Sequence, residues 1–474
     1  MGAYELIKGE ENAGAAALEA LHSTEDLETI CDASWKKDKP SASAVATRNR
    51  LVSLDVFRGL TVASWGRIAT DHPKHVLILF YLCCSTDQQI CSLQLMIFVD
   101  YAGGFLPAVN HSPWNGIALA DFVMPFFLFI VGVALSLTYK RVPNKVLATK
   151  KVILRASKLF LVGLIVQGGY FHGLRNLNYG VDMSKIRWMG VLQRIAIAYL
   201  FAAICEIWLK TDDNIDSGSS VSRLDKLQLL LCLVLTAIYT ILLYGLYVPD
   251  WQYEIPAEGF TTKFFSVKCG VRGDTGPSCN AVGMIDRKIL GIQHLHHHPV
   301  YERMKQCSIY SPASGPLPFD APSWCQAPFD PEGVLSSVMA IVTCLIGLQF
   351  GHVIIQMKHH KARIIHWAIP SLFLITLACI MEVIGMHINK PLYSVSYTCI
   401  TTGAAGILFT VAYVLVDVFG YRRPTLAMEW LGKHALMVYI LIGCNILPVL
   451  IQGFYWKEPQ NNLVTKLLRL IGIH

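Results

Sequence analysis

Apolar residues recur along this chain in long runs, separated by short polar stretches. A helix that crosses a bilayer needs about 20 mainly apolar residues. Runs that reach or approach that length are Ile117–Tyr139, Val152–Gln167, Met189–Leu209, Leu227–Val248, Val334–Met357, Ile364–His387, Tyr393–Phe419 and Leu426–Phe454. Each is predicted to be α-helical, because lipid offers the backbone no hydrogen-bond partner. Two further runs, Leu51–Ala63 and Leu95–Val109, are each too short to span, but joined end to end they make one helix of spanning length. Between them, Ser64–Gln94 mixes Asp71, His72, Pro73, Lys74 and Asp87 with the brief apolar run Val76–Cys84, and reads as an insertion into that helix. The pattern predicts an all-α, polytopic transmembrane bundle of about nine or ten helices.

The loops orient the bundle. Lys140, Arg141, Lys145, Lys150 and Lys151 lie between the first two of those runs; Lys358, Lys361 and Arg363 lie between two later ones; Arg422 and Arg423 precede the last. The short loop Pro107–Gly116 has neither Lys nor Arg, and Met386–Pro391 has one Lys, although Gly168–Trp188 carries Arg175, Lys185 and Arg187. The alternation follows the positive-inside rule. It predicts a cytosolic N-terminus and a lumenal position for the long loop Pro249–Gly333. That loop holds Cys269, Cys279, Cys307 and Cys325, an even set in a Pro/Gly-rich stretch. In an oxidising lumen they read as two disulfides, with three pairings open. The cysteines inside apolar runs, Cys205, Cys232, Cys344, Cys379 and Cys399, read as packing residues.

Composition agrees with the pattern. Hydrophobic residues make up 53% of the chain and charged ones only 15%, against about 25% charged in soluble domains. The net charge of +7 forms no basic stripe with interleaved aromatics, so nucleic acid is not an expected partner. Residues 1–50 are polar, lack an apolar signal core, and read as a flexible cytosolic tail preceding one transmembrane domain, 51–474.

Several polar residues fall at bilayer depth, where they are costly and usually face a partner or a cavity. Asp55 and Arg58 share a helix face; Asp100, Asp121, Gln193, Arg194, Glu206, Glu382, Asp417, Glu429 and Asn445 follow. Together they imply a polar interior, and hence transport or chemistry. His111 stands in a short lumenal loop, Asn110-His111-Ser112-Pro113-Trp114-Asn115-Gly116, where an imidazole can take a proton or carry an acyl group. The sequon Asn110-His111-Ser112 lies too close to the membrane, and too near Pro113, to be expected to carry a glycan. His294, His296, His297 and His298 lack a supporting ligand frame and read as a solvated run; no metal is expected.

Leu54-Asp55-Val56-Phe57-Arg58-Gly59, Asp100-Tyr101-Ala102-Gly103-Gly104, His111 to Gly116, Ala120-Asp121-Phe122-Val123-Met124-Pro125-Phe126-Phe127, Gly190-Val191-Leu192-Gln193-Arg194-Ile195 and Phe329-Asp330-Pro331-Glu332-Gly333 occur in that order. From about Leu51 onward the chain resembles the heparan-α-glucosaminide N-acetyltransferase family, most closely its plant-type members, which lack the long lumenal N-terminal domain. The resemblance implies a transmembrane enzyme that takes acetyl-CoA from the cytosol and acetylates a glucosamine-like amine on the lumenal side. It places the family's active-site histidine on His111 and a neighbouring polar residue, Asn in the animal enzyme, on Asp100. In this reading Asp100 orients the imidazole, Trp114, Asn115 and Asp121 shape the site, and Arg58, Arg194 and Asn445 are candidates for binding donor or acceptor, Arg58 alternatively pairing with Asp55. His111 acts either as an acetyl carrier or as a general base. The expected partners are the bilayer, acetyl-CoA and an amino sugar, with homodimerisation left open, and the expected location is an endomembrane or the plasma membrane. A transporter of a small polar solute and an inactive family member disrupted at 64–94 are the alternatives.

Overall fold

The structure is a computed structural model that describes residues 53–54, 111–168, 171–172, 178–179, 186–210, 221–256, 262–296, 298–311, 315–420 and 440. The Leu51–Ala63 and Leu95–Val109 runs (residues 53 and 54 apart), the suspected insertion, Asp55, Arg58, Asp100, Glu429, Asn445 and the run Leu426–Phe454 (residue 440 apart) lie outside these residues.

Among the described residues the α-helices are α1 (Val123–Thr138), α2 (Lys145–Gly168), α3 (Val191–Leu209), α4 (Val221–Gly245), α5 (Ala281–Leu290), α6 (Val334–Gln356), α7 (His360–Ile384) and α8 (Val395–Tyr413). The seven described spanning runs each coincide with one of them, and α5 is a short addition within the long loop. Among the described residues, six stretches are long and apolar enough to cross a membrane: Ala120–Thr138, Val191–Leu209, Leu224–Gly245, Val334–Gln356, His360–Ile384 and Val395–Val418. This is a polytopic helical bundle. The helix expected over Val152–Gln167 begins earlier, at Lys145, so α2 carries Lys145, Lys150, Lys151, Arg155 and Lys158.

The bundle is built around α6, which packs against α1, α3, α4, α7 and α8. Its closest approach is to α1, through small residues at four-residue spacing on both sides: Gly132 and Ser136 on α1, Gly347 and Gly351 on α6. A Cβ on Gly132 would lie 2.0 Å from the Cys344 carbonyl oxygen, and one on Gly347 would lie 2.1 Å from that of Phe129. In lipid, where burial of apolar surface does not drive helices together, such close contact supplies the association through dispersion. At one end of the bundle Glu206 on α3, Asp225 on α4 and His352 on α6 form a polar knot, with His352 Nδ1 2.7 Å from Asp225 Oδ1 and Nε2 3.1 Å from Glu206 Oε2.

The other end is roofed by the long loop. An antiparallel hairpin, β3 (Trp251–Pro256) with β4 (Thr262–Val267), begins it; the two-residue strands β1 (Phe171–His172) and β2 (Asn178–Tyr179) pair earlier in the chain. The four loop cysteines pair locally, as Cys269–Cys279 and Cys307–Cys325. Three expectations are corrected here. Glu382 is not buried at bilayer depth: it sits at the end of α7, half exposed, and accepts from the Ile388 backbone N–H at 2.5 Å and meets His387 Nδ1 at 2.9 Å. Cys379 is exposed on α7 rather than packed. The histidine run is also less solvated than its composition implies: the His294 Nδ1–H donates to the Ile186 carbonyl at 2.7 Å, and burial, followed by Arg187, pushes His296 down to about 4. His298 alone of the described members is mostly exposed, and His297 lies outside the described residues.

Candidate active site

The site forms where the segment entering α1 meets the segment joining α7 to α8. The first segment, 111–119, turns at Gly116, whose φ of 97° favours a residue without a Cβ. It docks on the second through paired backbones: Asn115 bridges Asn389, the Gly116 N–H donates to the Ile388 carbonyl at 2.8 Å, and Asn389 Nδ2 donates to Asn115 Oδ1 at 3.1 Å.

Asp121 organises this junction. It lies in a 3-10 turn, Leu119–Phe122, that leads into α1, and is fully buried. Its Oδ2 accepts from the backbone N–H groups of Ala118, at 2.9 Å, and Ser112, at 3.1 Å, which closes the loop over the helix start. Its Oδ1 lies 2.7 Å from His111 Nδ1 and 3.0 Å from Lys390 Nζ. The Tyr397 hydroxyl on α8 donates to its backbone carbonyl at 2.5 Å. A buried carboxylate in low dielectric needs charge compensation and several donors, and Lys390 with two backbone N–H groups supplies both.

His111 is therefore held from several sides. Its ring is about a third exposed (37%), its Nδ1 touches Asp121 and also lies 2.8 Å from Lys390 Nζ, and its carbonyl accepts from Arg303 Nη2 at 3.0 Å. With Nδ1–H donating to Asp121, the lone pair sits on Nε2; with Nδ1 accepting from the Lys390 ammonium, Nε2 carries the hydrogen. Lys390 thus competes for the imidazole tautomer. Burial, and next the Lys390 charge, hold the His111 pKa below its ordinary 6.5, so the ring is neutral and basic at neutral pH.

Lys390 is itself fixed by a strained turn. Tyr393 has φ 57°, the only positive φ at a non-glycine among the described residues, and its N–H donates to the Lys390 carbonyl at 2.9 Å. The Tyr393 ring is buried, its hydroxyl shares a hydrogen bond with Thr343 Oγ1 on α6 at 2.9 Å, and the Arg194 guanidinium lies 5.2 Å from its centroid. Backbone strain of this kind persists only where the surroundings over-determine it.

Behind the turn is a second charged layer. Arg187 donates to both oxygens of Asp330, at 2.9 and 2.5 Å, and to Glu332. Burial opposes the Glu332 charge, but Arg187, Arg194 and Lys390 outweigh it and hold its carboxyl down to about 2. Arg194 reaches the Pro331 carbonyl at 2.6 Å and Ser336 Oγ at 2.5 Å. The motifs around Arg194 and Asp330, 136 positions apart, thus form one contact.

Of the residues singled out in the sequence, His111, Asn115 and Asp121 come together. Arg194 sits one layer behind, reaching the site through Tyr393. Trp114 points away from it: its Nε1–H donates to the Thr275 carbonyl at 3.1 Å and its ring packs edge-on against Tyr301 and Phe329, pinning the long loop to the site segment. Lys390 was visible in the sequence only as the one cation of the Met386–Pro391 loop, and nothing local marked Asn389, Tyr397 or Arg303.

A family profile described as heparan-alpha-glucosaminide N-acetyltransferase, catalytic, matches residues 93–245 and so includes His111 and Asp121. The chain is 30% identical over 396 residues to the heparan-alpha-glucosaminide N-acetyltransferase of Homo sapiens, covering 78% of this chain and 53% of that protein. It belongs to the heparan-α-glucosaminide N-acetyltransferase family. The Mus musculus protein of the same name is 29% identical over 373 residues, 74% of this chain and 51% of that protein. The chain thus spans about half the length of the curated relatives it matches, and the part it shares with the family profile carries the His111–Asp121 pair.

Proposed function

We propose that this chain transfers an acetyl group from acetyl-CoA to the primary amine of an amino sugar. The observation that carries the proposal is the 2.7 Å contact between His111 and a buried Asp121 inside the segment matched by the family profile. Family membership supports the acetyl donor and the amino-sugar acceptor. The two disulfides of the long loop and the cationic loops at the opposite bundle end support a lumenal site with a cytosolic N-terminus, and so an endomembrane or plasma-membrane location. The domain limits proposed are a tail over 1–50 and a transmembrane acyltransferase domain over 51–474 interrupted by the 64–94 insertion.

In this mechanism the neutral His111 removes a proton from the acceptor ammonium. The freed amine attacks the thioester carbonyl, the carbon–sulfur bond breaks, the imidazolium returns its proton to the departing thiolate, and the acylated nitrogen releases its second proton to solvent. Asp121 stabilises the imidazolium and fixes its orientation, as a buried carboxylate behind a catalytic imidazole does. A ping-pong route, with the acetyl group resting on His111 before the amine attacks, uses the same residues.

The test is radiolabelled acetyl-CoA with membranes containing the chain and a panel of amino sugars. Acetylated sugar that disappears in His111→Ala is the expected result. Uptake of the sugar without acetylation, or acetylation undiminished by the substitution, overturns the proposal.

A further inference from the structure

The site already contains a primary amine. Lys390 Nζ lies 2.8 Å from His111 Nδ1 and 3.0 Å from Asp121 Oδ1, and among the described residues it is the one lysine in hydrogen-bond contact with a histidine. An acceptor amine needs that same relationship to the base. The side chain is mostly buried, 20% exposed, so it cannot swing freely into solvent. Its backbone is fixed by the Tyr393 turn and by Asn389, whose Oδ1 accepts from the Leu392 N–H at 2.8 Å. The partly exposed His111 ring beside it marks where the reacting carbonyl must come.

From this geometry we propose that Lys390 is an internal acetyl acceptor, acetylated by the site itself when the donor is bound and no amino sugar is present. The inference rests on the acetyltransferase reading above. His111 takes a proton from the Lys390 ammonium, Nζ attacks the thioester carbonyl, the carbon–sulfur bond breaks, CoA leaves as the thiol after taking the proton from the imidazolium, and the acylated nitrogen sheds its second proton to solvent. The balance is one Lys ammonium and one acetyl-CoA giving one Nε-acetyl-lysine, one CoA thiol and one proton. An amide is far less reactive than a thioester, so the acetyl group stays on Nζ instead of passing to a sugar. Acetylation removes the positive charge and leaves the buried Asp121 carboxylate without its lysine counter-ion. Lys390 therefore acts as a brake: donor without acceptor slows the enzyme.

The test incubates the purified full chain in lipid nanodiscs with radiolabelled acetyl-CoA alone, followed by peptide mass spectrometry. The expected result is the mass increment of one acetyl group on Lys390, with the label resistant to hydroxylamine, which cleaves acyl-imidazole and thioester but not amide. Added glucosamine suppresses it, and activity of the wild-type chain falls in step with Lys390 occupancy. His111→Ala abolishes the labelling; if that variant does not fold, suppression by glucosamine decides in its place. Labelling spread evenly over other lysines, or unaffected by glucosamine, overturns the inference as spontaneous acetylation. Glucosamine acetylated while Lys390 stays unmodified overturns it and leaves the proposed function standing, whereas neither product being formed overturns both.

Discussion

His111 and Asp121 are ten positions apart and meet at 2.7 Å across the entrance to α1, the carboxylate being held by the Ala118 and Ser112 backbone N–H groups on its other oxygen. Because those two donors fix the carboxylate, the imidazole is oriented by it rather than the reverse. Asp121→Asn keeps the volume but removes the charge that stabilises an imidazolium and presents an amide that can face the ring with a donor. Acetyl transfer is expected to fall by roughly 10²–10⁴-fold, the range typical of losing acid–base assistance, with the helical content unchanged by circular dichroism. A loss under about threefold would show that Asp121 serves only the turn.

Acid sensitivity follows from the His111 environment. Burial first and Lys390 second lower its pKa, so neutral imidazole persists below its ordinary range. The acid limb of kcat/KM against pH is therefore expected below about 6.5, the unperturbed histidine value. In Lys390→Met one of the three lowering causes (burial, Lys390 and Arg303) is gone while the Asp121 charge remains, so the limb moves to higher pH. A limb that stays in place, or moves down, contradicts the assignment of His111 as the titrating base.

Stability of the long loop is expected to carry its own pH dependence. Asp286, fully buried on α5, accepts from the Val334 N–H with Oδ1 at 2.8 Å and so caps the start of α6. Burial, with a further push from Asp330 against the opposing pull of Val334, Arg194 and Arg287, raises its pKa from 3.8 to about 7. The folded state thus holds a proton that the unfolded chain has lost. The associated stability is complete below about pH 4 and is lost as pH rises through about 7. Thermal unfolding of the wild type followed by fluorescence should drop across that window more than that of Asp286→Asn, whose Oδ1 preserves the cap. Parallel curves for the two proteins would rule this out.

Gly347 separates packing from chemistry. A Cβ there would lie 2.1 Å from the Phe129 backbone oxygen, which cannot rotate away as a side chain could. Gly347→Ala must push α1 and α6 apart, a change expected to cost at least about 1–3 kcal/mol, the usual range for overpacking. Gly245→Ala, at the end of α4 with nothing within 4 Å of the added carbon, should stay within about 0.5 kcal/mol of wild type. Thermal stability in detergent compares the two; equal melting temperatures would mean that the α1–α6 contact yields without loss.

The sequence by itself determined the helical bundle and the long loop, and it singled out His111 as the candidate base. Run length, the charge of short loops and the grouping of four cysteines are local properties, and a bilayer leaves an apolar run little choice but a helix. The tertiary structure alone decided the site's membership. Asp100 was the partner expected for His111 and lies outside the described residues, whereas the described partners are Asp121, read as a lesser member of the site, and Lys390, 279 positions from His111. It also decided that Trp114 anchors a loop, that His294 and His296 are partly buried, and which of three cysteine pairings forms. These facts depend on which loop ends the crossing helices bring together. Composition and spacing along one chain do not encode that meeting, because it is set by how α1, α6, α7 and α8 pack in three dimensions.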